Sequence, residues 1–560
     1  MIDSVPAMVY SSIRTVPAPV HPRPGDRGRP GREVWARGTA MVLGDLLTKH
    51  AKENPAAEAI VFREVRLNYG TFNRETDRIA AGLLKMGVAK GDRIGIYLSS
   101  RPEFLFIYLA AAKIGAIAVP VSWRFTPPEI RFVINDAGIS LLCTMPGFSG
   151  MDFIGNLDQI RQEVPCLKHV VLLDGGPAGN DMVPYVHLLR EPDHSLRKAA
   201  AAVTPDDTVL LLYTSGTTGV PKAAMLTHGN LVAYARGMLS SSGAEQGDSL
   251  LLNVPMNHVG GAVMALMCCL FLGNKLVLMD AFVPEETLKV IEREKIAIIG
   301  QVPAQYAIEL LNPNVGKYNL GSVKIALVSG QSCPADLIAK IRDRMGVLPR
   351  NAYGLTESSG AITFTRPEDG EDRVRNSVGR PMEGTTIAVM DEKNNILPPN
   401  SIGEIAVAGD TVMKGYWNRP DENKKAFDER GYFRTGDMGM IDEAGFLVLS
   451  GRKKEMYIRG GENVYPPEVE EAIARHPNVM MSAVVGRPDP VMGEVGRAYI
   501  IPKPGAAITP DEIKAFLSDK LARYKIPEDI IFRNNLPLTP VGKVKKLDLY
   551  EEISREFRMK

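Results

Sequence analysis

Groups that can hold a phosphate are concentrated in ten consecutive residues, Tyr213-Thr-Ser-Gly-Thr-Thr-Gly-Val-Pro-Lys222. Gly216 and Gly219 allow the backbone to adopt positive φ angles and to approach a ligand closely. Backbone N–H groups and neighbouring hydroxyls can then surround phosphate oxygens, and Lys222 adds a positive charge. The hydroxyl side chains in question are those of Thr214, Ser215, Thr217 and Thr218.

The spacing of a Walker loop, GxxxxGK followed by Ser or Thr, is absent because Ala223 follows Lys222. The segment predicts a phosphate loop of another kind, with an ordinary polar Gly-rich turn as the alternative.

The apolar pattern around this loop predicts the elements that position it. Residues 209–212 are all apolar, so the loop is expected to begin where a strand ends. Elsewhere helical stretches such as 77–86 and 104–114 alternate with apolar strands such as 93–98 and 116–121. Alternation of this kind predicts an α/β fold, in which right-handed βαβ units build largely parallel sheets with helices on both faces. Ligands bind such sheets beyond the carboxyl ends of the strands.

A chain of 560 residues is long enough for more than one domain. Residues 1–40 contain a stretch rich in Pro, Gly and Arg and predict a flexible N-terminal extension. Residues 41–452 are expected to form a large N-terminal core of doubly wound parallel sheets, with a small β-barrel-like part where the strands shorten after residue 380. Residues 453–560 predict a small, mobile α+β C-terminal domain. The charged stretch Gly451-Arg-Lys-Lys-Glu455 marks the boundary.

Composition argues against several classes of function. The formal net charge is +1, so no global basic field attracts nucleic acid or an anionic membrane. The five cysteines show neither CxxC pairs nor histidines at zinc-ligand spacing, which disfavours a metal cluster or disulfide framework and favours a reducing, cytoplasmic location. The longest apolar run, residues 262–272, is shorter than the ~20 residues of a membrane span and predicts a buried helix. The sequence predicts at most a peripheral membrane association, and it leaves open whether the protein forms a homodimer.

Five segments, in this order along the chain, resemble the motifs of the adenylate-forming superfamily, which includes acyl-CoA synthetases. They are Tyr213–Lys222, Tyr353–Ser358, Tyr432–Asp437, Gly451-Arg452 leading into Gly460–Pro466, and Thr539–Val544. Together they extend over most of the chain after residue 40. The resemblance implies an enzyme that uses ATP and Mg²⁺ to adenylate a carboxylic acid, within the fatty-acid-CoA ligase branch.

By this resemblance, the adenosine part of ATP is held by residues far apart in sequence. Tyr353 offers a flat face to adenine, and the Asp437 carboxylate accepts hydrogen bonds from the ribose hydroxyls. Arg452 completes that clamp. Three further residues lie where the family places adenine beside the carboxylate of the acid: Gly330, Gln331 and Ser332.

The resemblance also assigns the phosphates, the metal and the catalytic charge. Thr356 is placed at the phosphate end of the nucleotide, while Glu357 and Thr217 supply hard oxygen ligands for Mg²⁺. Lys543 is the catalytic lysine that contacts the acyl carboxylate and the α-phosphate, and the alternative is an exposed turn lysine. Lys454 matches the hinge about which the C-terminal domain rotates between two half-reactions.

The position of the acid follows from the same resemblance. His258 is a candidate gate to the acyl tunnel, with a histidine satisfied within the core as the alternative. The acyl and CoA channel is assigned to Asn257, Gly261, Val302, Gly460 and Gly461. Arg459, next to these glycines, either meets the CoA phosphates or is simply exposed. No aspartate occurs between Asp248 and Asp280, which disfavours an amino acid substrate.

The sequence therefore predicts an ATP-dependent acid:CoA ligase that forms an acyl-adenylate and then an acyl-CoA thioester, most consistent with a medium-chain or long-chain fatty acid. Two alternatives stay open: an alicyclic or aromatic acid as substrate, and transfer of the acyl group to a carrier protein. A catalytically silent nucleotide-binding protein is disfavoured, because Lys222, Glu357, Asp437 and Lys543 are all present.

Overall fold

The computed structural model describes residues 41–174, 182–214, 221–331, 333–538 and 544–558. The predicted extension, residues 1–40, lies outside this part of the chain. Helices of the described residues are α1 Leu43–Glu53, α2 Tyr69–Lys85, α3 Pro102–Ile114, α4 Pro127–Ala137, α5 Phe153–Ile160, α6 His194–Ala201, α7 His228–Ser242, α8 Leu266–Leu272, α9 Pro284–Glu294, α10 Pro303–Leu310, α11 Ala335–Met345, α12 Gly370–Asn376, α13 Pro420–Ala426, α14 Pro466–Ala474, α15 Pro510–Ser518 and α16 Lys546–Arg558.

Strands up to residue 364 are β1 Glu58–Phe62, β2 Val65–Asn68, β3 Arg93–Tyr97, β4 Ile117–Pro120, β5 Leu141–Thr144, β6 Gly147–Phe148, β7 Met151–Asp152, β8 His169–Leu172, β9 Met182–Pro184, β10 Thr208–Thr214, β11 Lys222–Thr227, β12 Ser249–Leu252, β13 Lys275–Leu278, β14 Ile298–Gln301, β15 Ile325–Ser329, β16 Arg350–Leu355 and β17 Gly360–Phe364. The later strands are β18 Arg380–Pro381, β19 Thr385–Met390, β20 Gly403–Gly409, β21 Phe433–Ile441, β22 Leu447–Arg452, β23 Tyr457–Arg459, β24 Glu462–Val464, β25 Val479–Asp489, β26 Gly493–Pro502 and β27 Asp529–Phe532.

Two large sheets form the N-terminal core and confirm the predicted α/β class. One has the order β18-β17-β16-β15-β14-β12-β13-β1-β2, and the other has the order β11-β10-β4-β3-β5-β8-β9. The central strands of both sheets run parallel, and antiparallel strands lie at their edges. Successive residues of β1 face different cores, since Ile60 belongs to the cluster between the sheets and Val61 to the cluster under α9 to α11. Burial on both faces explains why these strands are continuous apolar runs.

Two smaller sheets follow. The antiparallel sheet β19-β20-β21-β22 follows residue 380, but its strands have 6, 7, 9 and 6 residues and are longer than most of the parallel strands of the large sheets, so the prediction of shorter strands was wrong. The last sheet, β24-β23-β26-β25 with β27 beside β26, packs with α14, α15 and α16 as a small α+β unit. Strand β22 ends at Arg452, the residue at which the sequence places the domain boundary.

The helix predicted at 262–272 has two parts. A π-helix occupies Gly260–Ala265, and α8 continues from Leu266 to a left-handed cap at Gly273, with φ 72°. Cys268 and Cys269 are buried in it, as the apolar pattern indicates. A π-turn widens the backbone and is often associated with a functional site. Within the described ranges, no helix is both long enough and apolar enough to cross a membrane.

Candidate active site

Strands β10 and β11 form the base of the predicted phosphate loop. They pair antiparallel with Thr214 opposite Lys222, so the loop joins strand to strand, and it begins at a strand end as predicted. Thr214 Oγ1 donates to the Lys222 carbonyl oxygen at 3.4 Å. The loop residues between them lie outside the described part of the chain: Ser215, Gly216, Thr217, Thr218 and Gly219.

Lys222 points toward a segment that follows β20. Its ammonium pairs with Glu422 and lies 5.3 Å from the ring centroid of Tyr416. Backbone bonds fasten this segment to β11, since Trp417 N donates to the Ala223 oxygen at 2.9 Å. The charge beside the phosphate loop is therefore held in place by residues about 200 positions further along the chain.

The carboxylate of Glu357 lies in the short helical turn that follows β16. It is 9% exposed and accepts a hydrogen bond from Tyr416 Oη at 2.9 Å. Burial raises the pKa of Glu357, and the Tyr416 bond opposes this rise. Tyr416 therefore contacts both the Glu357 carboxylate and Lys222. A buried carboxylate beside the predicted phosphate loop is a suitable ligand for a hard cation. Thr217, the second predicted metal ligand, is outside the described residues.

Tyr353, Asp437 and Arg452 form one connected group. Tyr353 Oη donates to Asp437 Oδ2 at 2.8 Å, and Arg452 Nε lies 3.3 Å from Asp437 Oδ1. The β21–β22 ladder places Asp437 directly opposite Arg452. Burial, assisted by the Asp437 charge, keeps the pKa of Tyr353 well above its ordinary value, so the hydroxyl remains a donor. Arg452 lowers the pKa of Glu357 and Asp437 raises it, both less than burial does.

The strand ends next to Tyr353 carry the predicted adenine-side residues. Ser329, the last residue of β15, pairs with Ala352 of β16, so Gly330 and Gln331 follow immediately beside Tyr353. Gly330 has φ 85°, a conformation that favours glycine, and Gln331 is exposed. Thr356 is half-buried in the turn before Glu357. Ser332 lies outside the described residues.

The predicted acid-side residues follow β12 and β14, which are parallel neighbours. Val302 directly follows β14 and precedes α10, and the two segments meet where Gln305 Nε2 donates to the Asn253 oxygen at 3.5 Å. Asn257 and His258 are half-buried in the turn that leads into the π-helix. His258 Nδ1 accepts from Gly260 N at 3.2 Å, so the proton of a neutral ring is on Nε2.

Gly261 has a steric reason to be glycine. A Cβ at this position would lie 2.6 Å from the Pro255 oxygen and 3.0 Å from the Met256 Cα, both backbone atoms. A Cβ at Gly260 would lie near side-chain atoms only, the nearest being His258 Nδ1 at 3.4 Å. Backbone packing against residue 261 therefore shapes the turn that carries His258.

Lys454 lies, exposed, in the turn after β22. The glycines predicted for the channel form the tip of the β23–β24 hairpin, where Gly460 and Gly461 have φ 58° and 91°. Arg459 is not simply exposed: its guanidinium donates to the Ile526 oxygen at 2.7 Å and pairs with Glu528 at 2.7 Å. Lys543 lies outside the described residues, so its predicted role stays a prediction.

Sequence reasoning missed Tyr416 and Glu422. Neither belongs to the five motifs, and a lone tyrosine or glutamate in a polar segment is usually a surface residue. The available signal was the aromatic pair Tyr416-Trp417 after Gly415, which has φ 140°. Only the pairing with β11 shows what these residues contact.

Comparison with known proteins places this site in a family. Residues 47–417 match the model of the AMP-binding enzyme, and residues 468–543 match that of the AMP-binding enzyme C-terminal domain. A feruloyl-CoA synthase of an Amycolatopsis species is 33% identical over 92% of this chain and 99% of its own length. A mitochondrial medium-chain acyl-CoA ligase of Pongo abelii is 33% identical over 93% of this chain and 89% of its own.

Among solved structures, ATP-bound MatB from Rhodopseudomonas palustris superposes with a TM-score of 0.79 at 30% identity, covering 91% of this chain and 99% of MatB. The likeness to this ATP-bound protein therefore extends over most of the chain. The chain belongs to the AMP-binding enzyme family, that is, to the adenylate-forming superfamily, within its acyl-CoA ligase branch.

Proposed function

We propose that the chain is an AMP-forming acid:CoA ligase whose acid is a medium-chain or long-chain fatty acid. The observation that carries the proposal is the connected group Tyr353–Asp437–Arg452, with the buried carboxylate of Glu357 in the turn directly after β16, the strand that contains Tyr353. It supplies a ribose-binding carboxylate and a metal-binding carboxylate within one site, next to Lys222 and the predicted phosphate loop.

In the first half-reaction, an oxygen of the acid attacks the α-phosphorus of ATP. The bond from that phosphorus to the bridging oxygen of pyrophosphate breaks, and the electron pair leaves with pyrophosphate. No general base is required, because a carboxylic acid with a pKa near 4.3 is already ionised at neutral pH. Glu357 would hold Mg²⁺, which neutralises phosphate charge when bound, and Lys222 would contact the departing pyrophosphate.

In the second half-reaction, the sulfur of CoA attacks the acyl carbon. The bond to the AMP oxygen breaks, AMP leaves with the electron pair, and the thiol proton passes to solvent. The Lys454 hinge would rotate the C-terminal domain between the two steps, so that the Gly460-Gly461 turn replaces the Lys543 segment at the site.

The substrate class is supported by the chemistry around His258. The turn combines His258 with the buried side chains of Met256 and Val263, and no acidic side chain lies between Asp248 and Asp280. Such a wall suits an apolar tail, although an apolar site separates chain lengths by only about 1–3 kcal/mol per methylene. An aromatic acid is the second candidate, because a feruloyl-CoA synthase matches this chain as well as a medium-chain acyl-CoA ligase does.

The test is pyrophosphate release with a panel of straight-chain, alicyclic and aromatic acids, each with and without CoA. Fatty acids are expected to give the highest kcat/KM, with a thioester formed only when CoA is present. Preference for an aromatic acid would overturn the substrate proposal alone. If the adenylate forms but no thioester does, and a carrier protein then accepts the acyl group, the acceptor is a carrier protein and not CoA. If no acid supports pyrophosphate release, the proposal that the chain is an enzyme is refuted.

The role of Lys543 has a test of its own. Lys543→Ala is expected to slow adenylation about 10²–10³-fold, the usual effect of removing one preorganised donor from a developing charge. CoA transfer from a supplied acyl-adenylate should remain close to the wild-type rate. Equal losses in both half-reactions would contradict the domain rotation.

A further inference from the structure

An ion cluster in the C-terminal unit joins three elements. Lys546, the first residue of α16, has its ammonium 2.9 Å from Glu455 Oε2 and 2.8 Å from Glu470 Oε1. Glu455 belongs to the turn after β22, and Glu470 belongs to α14. Glu470 Oε1 also accepts from Val484 N at 2.7 Å, so this carboxylate is itself held in place.

Lys546 is the best shielded of the three side chains, since those of Glu455 and Glu470 are 26% and 22% exposed. The Lys546 side chain is 13% exposed. Burial alone would lower the pKa of Lys546, but the charges and hydrogen bonds of Glu470 and Glu455 outweigh it, and the pKa lies above its ordinary value. Lys546 is therefore charged at neutral pH. Loss of a partner from such a buried cluster is costly, because the remaining charges stay desolvated.

Glu455 lies on one side of the predicted hinge residue, and Lys453 lies on the other. Lys453 N donates to the Gly436 oxygen at 3.0 Å, and its ammonium lies 3.5 Å from Glu404 Oε2, both in the sheet of β20 and β21. Lys453 is thus held by the large domain. The Glu455 side chain is held by the C-terminal unit, while its backbone N donates to the Arg452 oxygen at the end of β22 at 3.1 Å. Lys454 is the one residue between these two anchors.

Lys546 also lies at the end of the segment that contains Lys543. Leu538 and Val544, which flank residues 539–543, pair with each other in an antiparallel bridge, and Lys545 N donates to the Pro537 oxygen at 2.8 Å. The next residue is Lys546. Tyr550, one turn further along α16, adds a bond from its hydroxyl to the Glu455 backbone oxygen at 3.4 Å.

We infer that Lys546 is a positioning residue for adenylation: its ion pairs with Glu455 and Glu470 tie the base of the Lys543 segment to the hinge turn. The described residues that border this segment, Leu538 on one side and Val544 to Lys546 on the other, are then fixed relative to Glu455. The inference rests on the proposed function of Lys543 and Lys454, and it adds residues that act through them.

The test compares Lys546→Met with Lys546→Arg and with the matched control Lys545→Met. Lys545 is the exposed neighbour, and its side chain is outside the cluster. For Lys546→Met, kcat of adenylation is expected to fall about 10- to 100-fold, because a small misplacement of a catalytic group costs this much. The KM values for ATP and acid, and the rate of CoA transfer from a supplied acyl-adenylate, should stay close to wild type. Lys546→Arg should restore most of the adenylation rate, and Lys545→Met should match wild type.

Equal slowing of both half-reactions, a rise in KM without a fall in kcat, or an equal effect of Lys545→Met would overturn the inference. If Lys546→Met fails to fold, Glu455→Gln replaces it, since Lys546 keeps Glu470 in that variant and the same split between half-reactions is expected. Wild-type activity separates the two proposals: an inactive wild type refutes the proposed function, whereas an active wild type with an unimpaired Lys546→Met refutes only this inference.

Discussion

The two ends of the candidate site, the proposed nucleotide end and the proposed acid end, are built in different ways. At the nucleotide end, charged and hydroxyl side chains contact one another: Tyr353 donates to Asp437, Arg452 pairs with it, and Tyr416 donates to Glu357. At the acid end, the turn around His258 is shaped by backbone, with a backbone donor on the ring and a glycine packed against the Pro255 carbonyl. Charge recognition needs particular side chains, whereas an apolar tail needs only space of the right shape.

The largest effect is expected at the nucleotide end. Asp437→Ala should lower kcat/KM for ATP about 10- to 100-fold, because a hydrogen bond to a charged group contributes about 1.5–3 kcal/mol. The ranking of acids in the substrate panel should not change. Steady-state kinetics with varied ATP at saturating acid measures kcat/KM for ATP. A changed preference among acids would show that the nucleotide end also affects selection of the acid.

An intermediate effect is expected at the acid end. Gly261→Ala should lower kcat/KM for the acid and leave the KM for ATP within about twofold, since its Cβ overlaps the backbone of Pro255 and Met256. Overpacking of this kind typically costs about 1–3 kcal/mol of folding free energy, so the melting temperature should fall as well. Gly260→Ala is the control, because it meets only side-chain atoms. Equal behaviour of the two variants would refute the steric explanation.

The smallest effect concerns the pH dependence of adenylation. The Tyr416 bond lowers the pKa of Glu357, which burial has raised, so Tyr416→Phe should raise it further. In its proposed role Glu357 must be ionised to hold Mg²⁺, and it becomes protonated as the pH falls through its pKa. The acidic limb of the rate profile should therefore move to higher pH, with the rate on the alkaline side nearly unchanged. Tyr318→Phe removes a similar bond to Glu285, which is not one of the candidate site residues, and should leave the profile unchanged.

The same contrast explains how much could be predicted. The strand before the phosphate loop and the helix at 102–114 are clear in the apolar pattern, because burial of both faces enforces it. Helix α2 was predicted only in its second half, since residues 73–76 in its first half are all polar and interrupt the apolar periodicity. The π-helix at Gly260–Ala265 was missed because an apolar run carries no sign of an inserted residue.

The sequence alone determined the fold class and the family, because five motifs of charged, hydroxyl and glycine residues are specific to one kind of chemistry. It also indicated Tyr353, Glu357, Asp437 and Arg452 as nucleotide-site candidates, since their side-chain types are what that chemistry requires. Only the tertiary structure decided that Tyr416 faces both Glu357 and Lys222, and that Lys546 joins the hinge turn to α16. These contacts join residues far apart in the chain, and their partners depend on how strands and helices pack, which local spacing does not encode.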